Sequence, residues 1–251
     1  MDDHNNTRQL FGLVGRNIDY SFSRKYFNEH FQKDGQHDFS YVNFDLADIS
    51  EFPSVIKNNR NLKGLNVTIP YKESVIPFLD KMSANAAKIG AVNTIKFTKK
   101  GYLKGYNTDF YGFKKTLKPL LQPHHKKALI LGTGGASKGV AFALEKLGIL
   151  YTFVSRQATE NVIDYNRINA TTFDNYQIVI NCTPIGTSPD IEKYPNLPYE
   201  CFTEKHIAFD LIYNPEETAF LRKAKANGAF IKNGYEMLVF QAEKSWKIWN
   251  E

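Results

Sequence analysis

Cysteine is scarce in this chain. Two occur in 251 residues, Cys182 and Cys201, and they form no CxxC pair, which argues against a disulfide framework, a zinc ribbon or a dithiol redox motif. The six histidines show no HxxxH or HExxH spacing, so no metal site is expected. Long hydrophobic runs are missing too, since no apolar stretch approaches the ~20 residues of a membrane span. The opening MDDHNNTRQ is polar and partly acidic; neither a signal peptide nor an anchor is read there, and a soluble cytoplasmic protein is the expectation. Charge is not concentrated either. The formal +6 comes from 32 basic and 26 acidic residues dispersed along the chain, with KK pairs at Lys99, Lys114 and Lys126 but no basic block. That pattern argues against nucleic acid and leaves small anionic ligands compatible. No fixed-period repeat and no low-complexity tract is present.

What is present is alternation. Short β-rich runs alternate with helical periodicity almost from end to end, the pattern of an α/β protein. Before residue 110 the runs QLFGLVG (9 to 15), FSYVNF (39 to 44), GLNVTI (64 to 69), AVNTIKF (91 to 97) and YLKGY (102 to 106) read as strands, with TKKG as a hairpin turn between the last two. Helices are expected after Ser23, from about Asp48, from about Tyr71 and over SANAAKIG. The segment FYGFKKTLKPLL places Phe110, Phe113, Leu117 and Leu120 at helical spacing. QPHHKK then breaks the apolar pattern, and its histidine pair reads as part of a solvated connection. A second series follows through KKALILG, YTFVS, YQIVINCT, HIAFDLIY and AFIKNG, and a last helix sets Leu238, Ala242, Trp246 and Trp249 on one face. The reading is two domains: 1–110 with a returning helix 236–251, and 111–235.

The strand ALIL runs into GTGGASKGVAFALEKLG and on into YTFVS. This order of strand, glycine turn, helix and strand gives the turn meaning. Gly132 and Gly134 permit a tight turn and close backbone approach, and the helix N-terminus offers N–H groups to a pyrophosphate. Ser137 stands where GxGxxG has its third glycine. At the tip of the next strand, VSRQATE gives Ser155 and Arg156 with no carboxylate until Glu160. A cation at that place favours a 2′-phosphate, so NADP is preferred over NAD.

In the first half, SFS at 21 to 23, Asn66, Thr68 and Lys72 in NVTIPYKE, Asn93 in GAVNT and Asp109 in NTD fall at strand ends or in the loops after them. Each has a bland explanation: Ser23 and Asp109 as helix caps, Asn93 as an exposed strand position, Lys72 as a solvated residue. Together they line one rim of a mostly parallel sheet. Hydroxyls and amides suit a polyhydroxylated or carboxylate ligand, and a Lys beside an Asp can pass a proton to an alcohol oxygen.

These motifs, with NCTPIG, FDLIYNP, TAFLRKAKANG and NGYEMLVFQA, occur in the order of the shikimate dehydrogenase family, which the chain resembles along nearly its whole length. The resemblance implies an N-terminal α/β substrate domain, a C-terminal Rossmann-type doubly wound NADP-binding domain, and reversible reduction of 3-dehydroshikimate to shikimate. It makes Lys72 and Asp109 the catalytic pair and gives the substrate carboxylate to Ser21 and Ser23. The remaining substrate contacts it implies are Asn66, Thr68, Asn93, Tyr213 and Gln241. For the cofactor it implies Gly132, Thr133, Gly134, Gly135, Ala136, Ser137, Ser155, Arg156, Thr183, Leu211 and Gly234. Monomer and homodimer are both compatible. The chain departs from the family pattern at Arg24, where Pro often stands, and in the adenosine-side run, where Ser155, Arg156 and Gln157 replace Asn-Arg-Thr and Glu160 replaces a second basic residue. The rival readings are a quinate-accepting or NAD-using relative, a methylenetetrahydrofolate dehydrogenase, and a non-catalytic binding module on the same fold.

Overall fold

The computed structural model describes residues 8–19 and 21–251; the polar opening segment before Arg8 lies outside the described residues. The described chain divides into two compact units, one running to Thr108 and completed by Ala242–Glu251, the other Asp109–Gln241.

In the first unit the strands are β1 (Gln9–Gly15), β2 (Phe39–Asp45), β3 (Leu62–Val67), β4 (Lys81–Met82), β5 (Thr94–Phe97) and β6 (Leu103–Tyr106), in the order β2-β1-β3-β5-β6-β4. Helices α1 (Phe22–Lys33), α2 (Phe52–Asn58) and α3 (Ala84–Ile89) connect them. Alternation along β1 sends Leu10 and Val14 to a core with Leu65, Val67, Val75 and Ile95, and Phe11 and Leu13 to one with Phe27, Phe31, Tyr41, Ala242 and Trp249. Strands β1, β2 and β3 are mutually parallel, whereas β5 is antiparallel to β3 and β6 antiparallel to β5. Two reversals bring the end of β6 back to the end of β3. The residues before β5 and after β6 therefore lie at the same rim as those after β1 and β3.

The second unit holds α4 (Asp109–Leu117), β7 (Lys127–Leu131), α5 (Gly135–Lys146), β8 (Leu150–Ser155), β9 (Val162–Asp164), α6 (Ala170–Asn175), β10 (Ile178–Asn181), β11 (Ile207–Asp210), α7 (Ala219–Ala226) and β12 (Phe230–Lys232). All its strand pairs are parallel, in the order β12-β11-β10-β7-β8-β9. The order reverses between β7 and β10, the switch point at which doubly wound sheets bind ligands. Burial on both sheet faces explains the near-continuous apolar runs: Ala128 to Leu131 and Ile178 to Ile180 are wholly buried. A final helix, α8 (Tyr235–Asn250), contributes Met237 to the second unit's core and Ala242 and Trp249 to the first's.

Several local expectations need correction. No helix starts at Tyr71; the stretch is turns with one 3-10 turn, Ile76–Phe78, because Pro70 and Pro77 leave too few residues to nucleate a helix. The cap of α1 is Ser21, whose hydroxyl accepts from Arg24 N–H at 3.4 Å, and Ser23 lies inside the helix, buried. Strand β5 starts at Thr94, where its pairing with Tyr106 at the end of β6 begins; two residues earlier the Val92 amide has left the sheet and donates to Lys72 O at 2.7 Å. Nor is Asn93 an exposed strand position: it is buried. His125 is also buried, its Nδ1 accepting from Gln122 N–H at 2.8 Å.

Candidate active site

The first unit carries a buried polar network along its rim. Asn66 is the penultimate residue of β3, and both ends of its amide are engaged: Oδ1 accepts from the Tyr41 hydroxyl at 2.8 Å, and Nδ2 donates to Asn93 O at 3.1 Å and Ser245 Oγ at 3.0 Å. Ser245 meets Thr94 at 2.8 Å and Thr108 at 3.1 Å, so three hydroxyls converge. Asn93 closes the circuit, with Nδ2 on Thr108 Oγ1 at 2.9 Å and Oδ1 accepting from Thr108 N–H at 2.6 Å. Burial pushes the Tyr41 phenol well above its ordinary range, against a lowering hydrogen bond from Ser23. Ser23, Asn66 and Asn93 are thus joined through Tyr41, Ser245 and Thr108. A fully paired network of this kind fixes the amides' orientation, because a turned amide would leave buried donors facing donors.

The other predicted residues of this unit lie beside the network. Thr68 and Lys72 are half-buried. Thr68 N–H donates to Val14 O at 2.8 Å and Lys72 O accepts from Val92, so the turn bearing Lys72 is tied to the end of β1 and to the loop that leads into β5. Half-buried Ser21 is the α1 cap. Exposed Arg24 directs its guanidinium to Asp19 O at 3.2 Å.

In the second unit Asp109 is the buried first residue of α4. The turn after β7 has Gly132 at φ +98°, a left-handed geometry suited to glycine, and Gly134 as the α5 N-cap. A Cβ at Gly134 would meet nothing within 4 Å, and no side chain caps the helix. Open space over uncapped first-turn amides fits a phosphate group. Thr133 is exposed and Gly135 and Ala136 half-buried, while Ser137 turns inward and donates to Gly134 O at 2.6 Å. Ser155 ends β8 and Arg156 is exposed just beyond. Burial is the main cause that pushes the Tyr165 phenol up to about 12, followed by the Cys182 side chain, with the Arg156 charge opposing. Thr183 donates its hydroxyl to Asn181 Oδ1 at 2.6 Å, and a Cβ on Gly132 would lie 3.1 Å from its methyl. A Cβ on Gly234 would overlap the Leu211 carbonyl. Tyr213 is half-buried; Gln241 is buried and donates to Leu238 O at 3.0 Å within its own helix.

Sequence reasoning assigned no role to Tyr41, Thr94, Thr108, Ser245, Asn181 or Asp210. Four of these sit in quoted motifs, GAVNT, NTD, NCTPIG and FDLIYNP. Ser245 could have been found from the last helix, since 242, 245, 246 and 249 share one face. Among the described residues no group of His, Cys, Asp and Glu could hold a metal ion, and no helix is long and apolar enough to cross a membrane.

A glycine turn at the switch point of a doubly wound sheet, with a rim of amides, hydroxyls and a lysine in a separate unit, defines a dinucleotide-dependent oxidoreductase. The comparisons with known proteins give the family. Residues 13–95 match the model of the shikimate dehydrogenase substrate binding domain. The chain is 37% identical to the shikimate dehydrogenase (NADP(+)) of Clostridium botulinum strain Hall, over 95% of each chain. It resembles the crystal structure of shikimate dehydrogenase from Aquifex aeolicus with a TM-score of 0.86 at 34% identity, covering 98% of this chain and 94% of that one. The Thermus thermophilus enzyme, solved in complex with NADP(H) and shikimate, gives a TM-score of 0.84 at 32% identity, covering 96% and 92%. The chain belongs to the shikimate dehydrogenase family, a family of oxidoreductases.

Proposed function

We propose that this protein catalyses the reversible, NADP-dependent reduction of 3-dehydroshikimate to shikimate, with Lys72 and Asp109 as its acid–base pair. The observation that carries the reading is the joint anchoring of Lys72 and the two amides: Lys72 O accepts from Val92 N–H at 2.7 Å, and Val67 N–H donates to Asn93 O at 2.9 Å. The lysine, Asn66 and Asn93 therefore spring from adjoining, mutually bonded backbone segments. That is the rigidity a site needs to orient a small polyhydroxylated ring.

When bound, NADPH supplies a hydride to the carbonyl carbon. Lys72 gives a proton to the carbonyl oxygen as it becomes an alcohol and takes it back in the reverse direction, with the Asp109 carboxylate as its partner. Ser21 and Ser23 hold the substrate carboxylate, and Asn66, Thr68, Asn93, Tyr213 and Gln241 sort its hydroxyls. Gly132, Thr133, Gly134, Gly135, Ala136 and Ser137 receive the pyrophosphate, Ser155 and Arg156 the adenosine side, and Thr183, Leu211 and Gly234 the remainder. Residues 1–110 with 236–251 form the substrate domain and 111–235 the NADP domain. Glu160, exposed four residues beyond Arg156, stands against a strict choice of NADP and keeps a NAD-using or quinate-accepting enzyme as the second reading.

The test is to mix the protein with shikimate and NADP, follow reduced-nicotinamide absorbance, and run NAD and quinate in parallel. Turnover is expected with shikimate, fastest with NADP. Equal or better turnover with NAD or quinate supports the second reading, and no turnover with any pair overturns both.

A further inference from the structure

Asp210 ends β11 with no exposed surface. Its carboxylate accepts three hydrogen bonds, from Asn181 Nδ2 at 3.1 Å, Ile212 N–H at 3.0 Å and Thr218 Oγ1 at 2.6 Å. One group therefore ties the end of β10, the turn after β11 and the N-cap of α7. With Nδ2 committed to Asp210, the Asn181 amide turns Oδ1 toward Thr183 and accepts from both its N–H (3.0 Å) and its hydroxyl (2.6 Å). The Thr183 hydroxyl then accepts from Ile185 N–H at 3.3 Å, which shapes the loop after β10. On the other side Leu211 N–H donates to Asn181 O at 3.0 Å and Gly234 N–H to Ile212 O at 3.1 Å. Thr183, Leu211 and Gly234, three proposed dinucleotide contacts, all hang from the pair Asn181 and Asp210.

We infer that Asp210, acting through Asn181, is a positioning residue for the dinucleotide loops after β10 and β11, and that its ionised form is the one that holds them ready to bind. The inference rests on reading this unit as the dinucleotide site. All three partners arrive as N–H or O–H donors. A proton on Oδ1 would meet only donors, since turning the Asn181 amide to accept it would set an NH₂ against Thr183 N–H. A proton on Oδ2 would make the Thr218 hydroxyl turn round to accept, and would weaken Oδ1 as the acceptor that holds Asn181 and Ile212. Burial pushes Asp210 up to about 6, against the lowering bonds of Thr218, Ile212 and Asn181, so the change falls at an accessible pH. The titratable groups facing it are Cys182 beside Asn181 and Tyr199 in the turn Tyr199–Cys201. Burial first pushes both up; the Asp210 charge adds to the rise of Cys182 and, after Tyr194, to that of Tyr199.

Calorimetric titration with NADP alone, without shikimate, from about pH 5 to 8 tests this. The ligand's own phosphate titrates in this range, so the readout is the difference between wild type and Asp210→Asn. The variant should bind about tenfold more weakly at pH 7.5, the scale of one hydrogen bond, and show a shallower fall toward acid. Thr218→Val, which removes one donor, should move the wild-type fall to higher pH, and Thr218→Ser should restore it. Should Asp210→Asn fail to fold, the shift between the two Thr218 variants decides. Parallel curves for wild type and Asp210→Asn, or an unmoved midpoint in Thr218→Val, overturn the role of Asp210 while leaving the NADP site intact. Absence of NADP binding by the wild type overturns both.

Discussion

A single position can carry chemistry or structure, and Lys72 and Ser21 separate the two. Lys72 is half-buried with its carbonyl tied to Val92, a bond that any side chain preserves. Lys72→Ala should therefore fold normally yet lose about 10²- to 10⁴-fold in turnover, with a much smaller change in KM for shikimate, because the proton moves chiefly in the transition state. Near-normal turnover would remove Lys72 from the mechanism. Ser21 has two duties, since the hydroxyl proposed for the substrate carboxylate also caps α1 through a long 3.4 Å bond. Loss of so long a cap costs less than the ~1 kcal/mol of a good one, so Ser21→Ala should show itself in KM rather than in stability.

At the scale of the element, legibility followed periodicity. β1 spans Gln9–Gly15, the run that the alternation predicts, because its apolar residues feed two cores on opposite faces. The inner strands of the second unit, β7, β10 and β11, were legible as unbroken apolar runs for the opposite reason, burial on both faces, whereas the short, half-buried edge strand β9 was not read at all. The expected helix at Tyr71 failed because prolines outweighed a spacing that was only suggestive. The rim residues were legible one by one as strand-end polar groups. Their connections were not, because Asn66 to Ser245 spans 179 positions and no local pattern reports such a bond. The last turns of α8 show the consequence. Trp249 lies against Gly64, where any Cβ would overlap its indole, and donates to Ile95 O at 3.0 Å; one turn earlier Ser245 enters the network. Ser245→Ala removes one hydroxyl but leaves Thr94, Thr108 and the Asn66 amide with other partners. It should destabilise the first unit by about 1 kcal/mol, read as an earlier transition in tryptophan emission. An unchanged transition would mean that the helix holds its place by Trp249 and Ala242 alone.

For the whole molecule, two buried groups of the second unit give stability an opposed pH dependence. His125 accepts Gln122 N–H at Nδ1, which leaves Nε2 to donate to Lys205 O at 3.1 Å, so it folds as the neutral ring. Burial is the main cause that holds it below the ordinary imidazole value; the neighbouring His124 and His206 add to the lowering and the Lys205 carbonyl opposes it. Because the unfolded chain takes that proton first, its contribution is complete above about pH 6.5 and is lost as pH falls through the lower folded value. Asp210 runs the other way. Its folded value, about 6, lies above the ordinary ~3.9 of an aspartate. Stability is therefore present below about pH 4 and lost as pH rises through 6, a difference on the order of 3 kcal/mol. Between about pH 7 and 5 the two offset each other. Asp210→Asn removes the acid-side gain and should make the melting temperature fall more steeply over that range. His125→Gln, which keeps an acceptor and a donor without the titration, should flatten or reverse the fall. Both tryptophans, Trp246 and Trp249, pack in the first unit's core, so far-UV circular dichroism rather than tryptophan emission must follow this transition. Parallel melting curves against pH for the two variants would show that neither group sets the acid limb; divergent ones would place it in these two side chains, the carboxylate proposed to position the dinucleotide loops and a histidine at Lys205.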